Sequence, residues 1–337
     1  MCDRAPAVVV GRAPRCLDRG AQGARRDAAV SEMVVATAVS VVMAATPLLL
    51  AAIGELVVER AGVLNLGVEG MMLAGAVAGF AAALATGTPL AGVLAAALAG
   101  MGLALVFALL ALFLLANQVA TGLALTIFGT GLTALAGQPL VGRSVSRLAP
   151  LFPEGLRELP VVGPLLFGHD PLVYLAWLLV PATALFLFRT RAGTVLRACG
   201  ENHEAAHALG HPVRRVRLLA VLFGGATAGL AGGFLSLVYT PMWVEGMTAG
   251  RGWIALALVV FAAWRPWRVL AGALLFGGVG ILQLHAQGLG LVAIPSQYLS
   301  MLPYLATILV LVLIHAGPWR RRLEAPACLG RPFLPPS

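Results

Sequence analysis

The chain has 337 residues, of which 60% are hydrophobic and only 11% are charged, and its formal net charge is +9. This composition excludes an ordinary water-soluble domain and predicts an integral membrane protein. All 23 basic residues are arginine, and the lack of lysine excludes an ATP-hydrolysing P-loop and a Schiff-base mechanism. Because the arginines flank apolar runs and do not form one basic face, the charge indicates membrane topology and not nucleic-acid binding.

The first 32 residues contain six arginines and four acidic residues without apolar periodicity. We expect them to be disordered or to lie upstream of the true start, which we predict at Met33. Residues 33–53 form an apolar run that is long for the core of a signal peptide and has no convincing small-residue cleavage site. This run therefore predicts the first transmembrane span.

A polar interruption follows at residues 54–70, GELVVERAGVLNLGVEG, where three glutamates, an arginine and an asparagine stand among apolar residues and glycines. Irregular backbone at membrane depth occurs only where protein or a water-filled cavity covers it, so the stretch predicts a broken helix. Apolar runs at residues 71–87, 89–116 and 119–137 predict the second, third and fourth spans.

Two polar loops later in the chain predict its orientation. The loop at residues 138–170 has three arginines balanced by three acidic residues, whereas residues 189–217 have six arginines against two glutamates. The positive-inside rule therefore places the second loop in the cytoplasm. Alternation then gives about nine spans within a transmembrane domain at residues 33–316, followed by a cytoplasmic tail at residues 317–337. The loops expected outside are residues 138–170, 240–252 and 289–296.

Glycines recur at four-residue spacing in two of the predicted spans, a pattern that lets membrane helices approach closely. They are Gly75 and Gly79 in the second span and Gly225, Gly229 and Gly233 in the sixth.

The segment at residues 196–217, LRACGENHEAAHALGHPVRRVR, is the most elaborate polar element between two spans. Within it, His203, Glu204 and His207 form the pattern of zinc proteases, in which two histidines bind the metal and the glutamate activates water. An intramembrane zinc protease is therefore one alternative function. Against it, a proline ends any helix directly after His211, and arginines crowd the place where a cation would bind. The four cysteines have no CxxC spacing that would predict a metal site.

The whole segment favours another interpretation, in which a short helix ends near Gly210 and a second element with a basic face begins. Such a helix suits docking into a groove on a soluble partner. Three stretches resemble, in the same order, the permease subunits of bacterial ABC importers of the simple-sugar and nucleoside branch. They are TPLLLAAIGELVVERAGVLNLGVEGMMLAGA, RACGENHEAAHALGHPVRRVRLLAVLFGGATAGLAGG and YTPMWVEGMTAGRGWIALALVVFAAWRP. The resemblance covers roughly residues 33–316 and is strongest to permeases that a nucleoside-binding lipoprotein serves.

This resemblance implies an all-α, polytopic transmembrane bundle with a cytoplasmic coupling helix, located in the bacterial inner membrane with its carboxyl terminus in the cytoplasm. It implies a permease subunit that forms half of a translocation pathway for nucleosides and is not an enzyme. A simple sugar such as ribose is the alternative cargo. The chain itself is expected to hold no cofactor and no metal, with ATP and Mg on the partner ATPase. The other implied partners are membrane lipid, an extracytoplasmic substrate-binding protein and a second permease subunit, expected to be a paralogue.

The resemblance also implies roles for individual residues. The two polar breaks are expected beside the translocation path, since polar groups in apolar sequence usually face the bundle interior or a pore. Their similar placement, reached from opposite sides of the membrane, is typical of inverted repeats with substrate at the interface. Snorkelling to the interface is the alternative for Glu69 and Arg251. The coupling residues are Glu201, Ala205, Ala206 and Gly210. The path candidates are Asn65, Gly67, Glu69, Asn117, Gln118, Glu245, Arg251 and Gly252, and Gln283 and Gln287 are further side chains that could hydrogen-bond cargo.

A secondary transporter or channel that works without an ATPase is the remaining alternative. Proteins of that class more usually carry charged residues within several mid-chain spans, and such residues are scarce here. That alternative also leaves the elaborate polar loop without a role.

Overall fold

Helices dominate the computed structural model, which describes residues 16–288, residues 301, 305, 308, 309 and 312, and residues 325–334. The regular elements in these residues are all helical, and one isolated antiparallel bridge joins Ser144 and Met242. The α-helices are α1 (Cys16–Arg60), α2 (Val68–Thr86), α3 (Pro89–Ala108), α4 (Gln118–Gly137), α5 (Glu154–Arg157), α6 (Pro171–Arg189), α7 (Arg191–Glu201), α8 (His203–Ala208), α9 (Val213–Phe234), α10 (Arg251–Phe261) and α11 (Pro266–Gly288). Short π-helical turns extend α3 to Phe113 and α9 to Tyr239.

Seven of the described helices are long and apolar enough to cross a membrane. The all-helical prediction is therefore confirmed for the described residues, whereas the expected count of about nine spans is not. The segments are Ser31–Arg60, Val68–Thr86, Pro89–Phe113, Gln118–Leu140, Pro171–Arg189, Val213–Tyr239 and Pro266–His285.

Two of the predicted spans account for the difference in number. The seventh predicted span corresponds to α10, which has 11 residues. Its length of about 16 Å covers only half of a hydrocarbon core about 30 Å thick. The ninth, expected between the outer loop at residues 289–296 and the tail at residues 317–337, lies outside the described residues except at isolated positions.

The first helix starts before the predicted span. Residues 16–32 are the initial turns of α1, and residues 1–15 lie outside the described part of the chain. The start at Met33 and the division into residues 1–32, 33–316 and 317–337 stay predictions.

The helix break predicted for residues 54–70 is shorter than expected. The helix α1 continues through Gly54 and ends only at Arg60. A Cβ on Gly54 would lie 3.0 Å from the Cβ of Thr227 and 3.1 Å from the Cα of Gly224, so this glycine serves close packing against α9. The break itself occupies residues 61–67, between α1 and α2.

Close helix crossings at glycine form the centre of the bundle, where α9 packs against α1, α2 and α3. A Cβ on Gly75 of α2 would lie 2.5 Å from the Cα of Gly229 on α9. A Cβ on Gly100 of α3 would lie 2.7 Å from the same atom. The close packing predicted from four-residue glycine spacing is thus confirmed, and α3 joins it through glycines that the sequence analysis did not single out.

The segment at residues 240–250 enters the bundle, although the sequence predicted an outer loop there. Trp243 and Thr248 are only 2% and 0% exposed. The Trp243 side chain packs against Phe80 and Leu140, in space that the missing side chain of Gly137 leaves free. The segment is therefore anchored to the bundle by Trp243 and Thr248 before α10 begins.

Candidate functional site

The two polar breaks predicted from the sequence meet at Glu69. This residue lies in the first turn of α2 and is 7% exposed. Its Oε1 accepts hydrogen bonds from Thr248 Oγ1 at 2.5 Å and from the Gly250 backbone N–H at 2.9 Å. Its Oε2 accepts from the Gly252 N–H at 2.6 Å. The carboxylate thus caps the start of α10, where the backbone N–H groups and the helix dipole favour a negative charge.

The glycine at position 252 makes this contact possible. A Cβ there would lie 2.6 Å from Glu69 Oε2 and 2.7 Å from the Glu69 Cα, which is closer than real Cβ atoms come. Gly250 precedes the helix with a φ of +79°, a conformation that glycine adopts without strain. Both glycines let the backbone of α10 approach the carboxylate.

Helix register places this contact deep in the bundle. Gly75 lies against Gly229 and Gly79 approaches Gly233, so the same register sets Glu69 level with residue 223 of α9. That level is about 15 Å along α9 from its first residue. The start of α10 therefore lies within the membrane-spanning part of the bundle, where irregular backbone must be covered by protein.

The break between α1 and α2 is closed by side chains from both of its flanks. Asn65 is fully buried, and its Oδ1 accepts from the Gly67 N–H at 3.0 Å in an Asx turn. The Asn65 N–H donates to Glu55 Oε1 at 3.2 Å, and the preceding N–H donates to Gln118 Oε1 at 2.9 Å. Glu55 Oε2 and Gln118 Nε2 are buried without a hydrogen-bond partner in the described part of the chain.

The other path candidates are more accessible. Asn117 is exposed and caps α4 by accepting from the Ala120 N–H at 3.0 Å. Glu245 is exposed, whereas Arg251 is half-buried and donates from Nη1 to the Met247 carbonyl at 3.1 Å. The structure therefore joins Glu69 to Gly252 and Asn65 to Gly67, and leaves Asn117 and Glu245 apart from them. Gln283 and Gln287 lie near the end of α11.

A buried pair that the sequence analysis did not propose as functional lies between α1 and α10. Glu59 is 1% exposed, and its Oε2 accepts from Trp264 Nε1 at 2.5 Å. Arg60 Nη2 donates to the Trp264 carbonyl at 3.3 Å. The sequence feature that could have indicated this pair is a glutamate in an apolar run, because a buried glutamate needs a polar partner.

The predicted coupling segment folds as expected from its local sequence. Asn202 caps α8 by accepting from the Ala205 N–H at 2.9 Å, α8 ends at Ala208, and Gly210 has a φ of +84°. After the proline at 212, α9 begins and continues directly into a span. The prediction of a short helix followed by a second element is confirmed. Of the four coupling residues, Glu201, Ala205 and Gly210 are exposed and Ala206 is 2% exposed.

Residues 325–334, which we call the strap, lie against α7, α8 and the α1–α2 break. The Cys328 N–H donates to the Gly200 carbonyl at 2.9 Å, and the Gly330 N–H donates to the Gly62 carbonyl at 3.2 Å. Glu201 Oε2 accepts from the Ala327 N–H at 3.3 Å. Part of the predicted cytoplasmic tail therefore lies at the end of the molecule that carries the predicted coupling residues, which we call the coupling end.

Arg217 joins the strap, the break and α8. Its side chain is among the largest that are fully buried, and its Nε donates to the Ala61 carbonyl at 3.1 Å. Its Nη1 donates to the Arg331 carbonyl at 3.0 Å, and its Nη2 lies 3.2 Å from His203 Nδ1. Because arginine stays charged, the imidazole nitrogen must be the acceptor, so His203 is neutral in this contact.

The geometry of the histidines does not suit zinc. His203 Nδ1 faces the Arg217 guanidinium, which repels a cation, and burial followed by this guanidinium lowers the pKa of His203 from its ordinary value of 6.5. The ring of Phe333 lies edge-on to His203 and to His207, each at 5.3 Å between centroids. No group of three or more His, Cys, Asp or Glu side chains in the described residues could hold a metal ion.

Comparison with known proteins adds independent findings. A family model described as branched-chain amino acid transport system / permease component matches residues 37–313. The "Putative glucose ABC transporter permease protein TsgC13" of Haloferax volcanii is 45% identical over 309 residues, covering 86% of this chain and 94% of the relative. No solved structure matches the chain.

Two further relatives are named for nucleosides. The guanosine ABC transporter permease protein NupQ of Bacillus subtilis is 32% identical over 86% of this chain and 93% of its own length. The nucleoside ABC transporter permease protein NupC of Lactococcus lactis is 31% identical over 80% of this chain and 88% of its own length.

Proposed function

The chain belongs to the family described as branched-chain amino acid transport system / permease component, and we propose that its cargo is a nucleoside. It is an ABC importer permease for a nucleoside or a sugar, and such a permease subunit is not itself an enzyme. The observation that supports a nucleoside is the similarity to NupQ and NupC, which extends over 86% and 80% of this chain.

A simple sugar is the second candidate cargo. It is favoured by the 45% identity to TsgC13, whose name refers to glucose. Nucleosides and sugars both present ring hydroxyl groups, so uncharged side chains such as Asn117 and Gln118 could hydrogen-bond either one. Transport measurements with nucleosides and with sugars distinguish these two candidate cargoes.

ABC importer permeases work with an ATPase subunit and a substrate-binding protein, and α8 is our candidate for the contact with the ATPase. It is a short helix that Asn202 caps at its start and that Gly210 follows after its end. Ala205 and Gly210 are exposed, and Glu201 lies just before the helix. Helices of this kind dock into grooves on partner proteins. ATP and Mg would then bind to the ATPase, and a second permease subunit, expected to be a paralogue, would complete the translocation pathway.

The proposed location is the bacterial inner membrane, with α8 and the strap in the cytoplasm. This orientation follows from the six arginines of residues 189–217, which the positive-inside rule places on the cytoplasmic side. The substrate-binding protein would deliver cargo at the opposite end, near the loop between α4 and α6.

A series of hydrogen bonds could transmit a movement of α8 to the bundle. ATP binding would close the ATPase dimer and move α8, and it would shift the permease only through a difference in affinity for two conformations. Arg217 and the strap connect α8 to Ala61 and Gly62 in the break. Two residues after the break, Glu69 accepts a hydrogen bond from the Gly252 N–H at the start of α10. The chain itself performs no covalent step in this mechanism.

The proposed function is tested in vesicles that contain this chain with its candidate partner permease, ATPase and binding protein. We expect a nucleoside to stimulate ATP hydrolysis and to accumulate inside the vesicles. Stimulation by glucose or ribose in place of nucleosides would instead identify the second candidate cargo. If neither class of cargo stimulates hydrolysis or accumulates, the proposal is wrong.

The role of α8 is tested in the same vesicles with Gly210→Pro. Proline cannot adopt the φ of +84° found at Gly210 and cannot donate the N–H bond to the His207 carbonyl, so cargo-stimulated hydrolysis should be lost. Gly142→Pro is the matched control, because Gly142 is exposed, has a φ of +78° and has open space around it at the other end of the bundle. Equal losses in both variants would show general misfolding and not a coupling role.

A further inference from the structure

A large apolar cavity lies between α1, α6, α7 and α9, at the end of the bundle that carries α8. Its volume is about 480 Å³, and its walls include Val57, Phe186, Leu196 and Phe223. The hydroxyl of Thr183 is the one polar side-chain group among the lining residues. The cavity opens to the surface at exposed wall residues such as Ala182 and Leu219, and its volume is typical of ligand sites. Its walls exclude a nucleoside or a sugar, because they cannot satisfy the hydroxyl groups.

One side of the cavity is formed by α7, an amphipathic helix that connects the span α6 to α8. Ala192, Val195 and Leu196 line the cavity from the apolar face of α7. Its polar positions include Arg191, which is exposed, and Arg197, whose guanidinium carbon lies 5.2 Å from the centroid of the Phe188 ring. A short helix with this pattern is typical of the interface between lipid acyl chains and headgroups.

Two arginines stand at the same end of the cavity on the helices that line it. Arg189 ends α6 three positions after the lining residue Phe186, and Arg215 precedes the lining residue Leu219 by four positions on α9. Positions three or four apart share a helix face, so each arginine continues a cavity wall toward the headgroup region. Both are exposed, and neither forms an ion pair with another described residue.

We propose that this cavity holds one acyl chain of an anionic phospholipid, with its phosphate bound by Arg189 and Arg215. The apolar walls suit the hydrocarbon chain, and the two cations suit a headgroup with a net negative charge. Basic pockets between membrane helices bind such headgroups, and arginines near the membrane surface attract acidic lipids. The lipid site is distinct from the Glu69 contact and from α8, and it does not depend on which cargo the permease carries.

The test is lipid retention by the full-length purified chain, measured by native mass spectrometry. The protein is exchanged into detergent with equal amounts of phosphatidylglycerol and phosphatidylcholine that carry identical acyl chains. We expect one retained phosphatidylglycerol per chain. Its preference over phosphatidylcholine should be about 25-fold, because two arginines near the surface contribute about fivefold each.

Two variants separate the headgroup from the acyl chain. Arg189→Ala with Arg215→Ala should reduce the preference to about one, since only the hydrocarbon contacts are left. Ala182→Phe adds an aromatic ring from an exposed wall residue and should reduce retention of both lipids. The matched control is Arg143→Ala with Arg147→Ala, two exposed arginines of the loop between α4 and α6, and it should keep the preference.

Equal retention of the two phospholipids by the unmodified chain would overturn the proposal. An unchanged preference in the Arg189 and Arg215 double variant would also overturn it, because the headgroup would then be bound elsewhere. Retention of palmitate as strong as that of phosphatidylglycerol would show a fatty-acid site and would contradict the phospholipid assignment. If Ala182→Phe does not fold, as judged by gel filtration, the double arginine variant decides the outcome alone.

Discussion

Glu69 and Arg217 are both buried charges, and neither has an oppositely charged partner among the described residues. Glu69 lies deep in the bundle, where hydroxyl and N–H donors at the start of one helix surround it. Arg217 lies at the coupling end, where acceptors from the break, α8 and the strap surround it. The first charge fixes one helix against another, and the second holds three separate segments together.

The difference in depth has an energetic consequence. A buried donor or acceptor that loses its partner costs about 1 to 3 kcal/mol, unless water can replace the partner. Glu69 and its partners lie deep in the bundle, whereas the segments around Arg217 lie at one end of the bundle, close to exposed residues of α8. We therefore expect changes at the Glu69 contact to affect folding and changes at the strap to affect coupling.

The largest effect is expected from Glu69→Ala. This change leaves the Thr248 hydroxyl and the N–H groups of Gly250 and Gly252 without their acceptor in the bundle. The loss of these bonds and of the cap should destabilise the protein by about 3 kcal/mol or more. The measurement is the fraction of monodisperse protein after heating in detergent, together with cargo uptake. Glu158→Ala is the control, because Glu158 is exposed and is not a path candidate, and equal losses in both variants would contradict the role of Glu69.

Gly252→Ala tests the same contact by steric overlap, without removing a charge. The added Cβ would meet backbone atoms of Glu69, which cannot move aside as a flexible side chain could. Overpacking of this kind costs about 1 to 3 kcal/mol, so the thermal midpoint should fall and uptake should decrease. Gly131→Ala has open space around its Cβ and should leave the midpoint unchanged or slightly higher. A Gly252→Ala variant as stable as Gly131→Ala would show that α2 and α10 are farther apart than described.

Phe333→Ala addresses the coupling end. Phe333 is 5% exposed and packs against both His203 and His207. Replacing a packed phenylalanine by alanine costs about 3 to 5 kcal/mol in a core, which is enough to release a short segment such as the strap. The bundle should stay folded while cargo transported per ATP hydrolysed falls severalfold.

The controls for this variant are Leu334→Ala and Phe333→Leu. Leu334 is 66% exposed, so its removal should leave coupling unchanged. Phe333→Leu keeps most of the apolar volume and should restore most of the coupling. If Phe333→Ala lowers the thermal midpoint as much as Glu69→Ala does, the two regions do not differ in the way described above.

The smallest effect is expected from pH. Because the pKa of His203 is lowered in the folded protein, its neutral form stabilises the strap, and this stabilisation is complete above the ordinary pKa of 6.5. It should decrease as the pH falls through the lowered pKa, where an imidazolium would face the Arg217 guanidinium. Glu204 opposes the lowering and Arg331 adds to it, both less strongly than burial and Arg217. Proteolysis of the strap should therefore become faster at acidic pH.

His203→Asn is the matched variant for this measurement. Asparagine offers a side-chain oxygen as an acceptor and does not titrate, so the pH dependence of strap proteolysis should disappear. Persistence of the same dependence in His203→Asn would assign it to another group.

The sequence predicted those features of the fold that are determined by residues close together in the chain. Asn202, Gly210 and the following proline are local signals for the start and end of α8, and the structure has α8 where they place it. The family resemblance implies Glu69 and Gly252 as path candidates in two separate polar breaks, and the contact between them joins positions 183 residues apart. No periodic pattern encodes a pairing at that separation. The partners of each buried charge therefore had to come from the structure.

Two further features of the structure depend on tertiary packing and do not follow from the local sequence. The polar stretch at residues 54–70 predicts a broken helix, but its first seven residues belong to α1, and Gly54 is a point of close approach to α9. The strap carries no helical or strand periodicity, and the link from Arg217 to Arg331 spans 114 residues. Its place beside α8 follows from the fold as a whole and not from the sequence of the tail.

The strap also bears on how the protein is made. It follows the seven described spans in the chain, so the ribosome completes those spans before the strap can reach Gly62, Gly200 and Arg217. Until then, α8 lacks one of the segments that hold it. In a newly inserted chain, the strap would therefore fix α8, the proposed coupling helix, only after the seven described spans have been made.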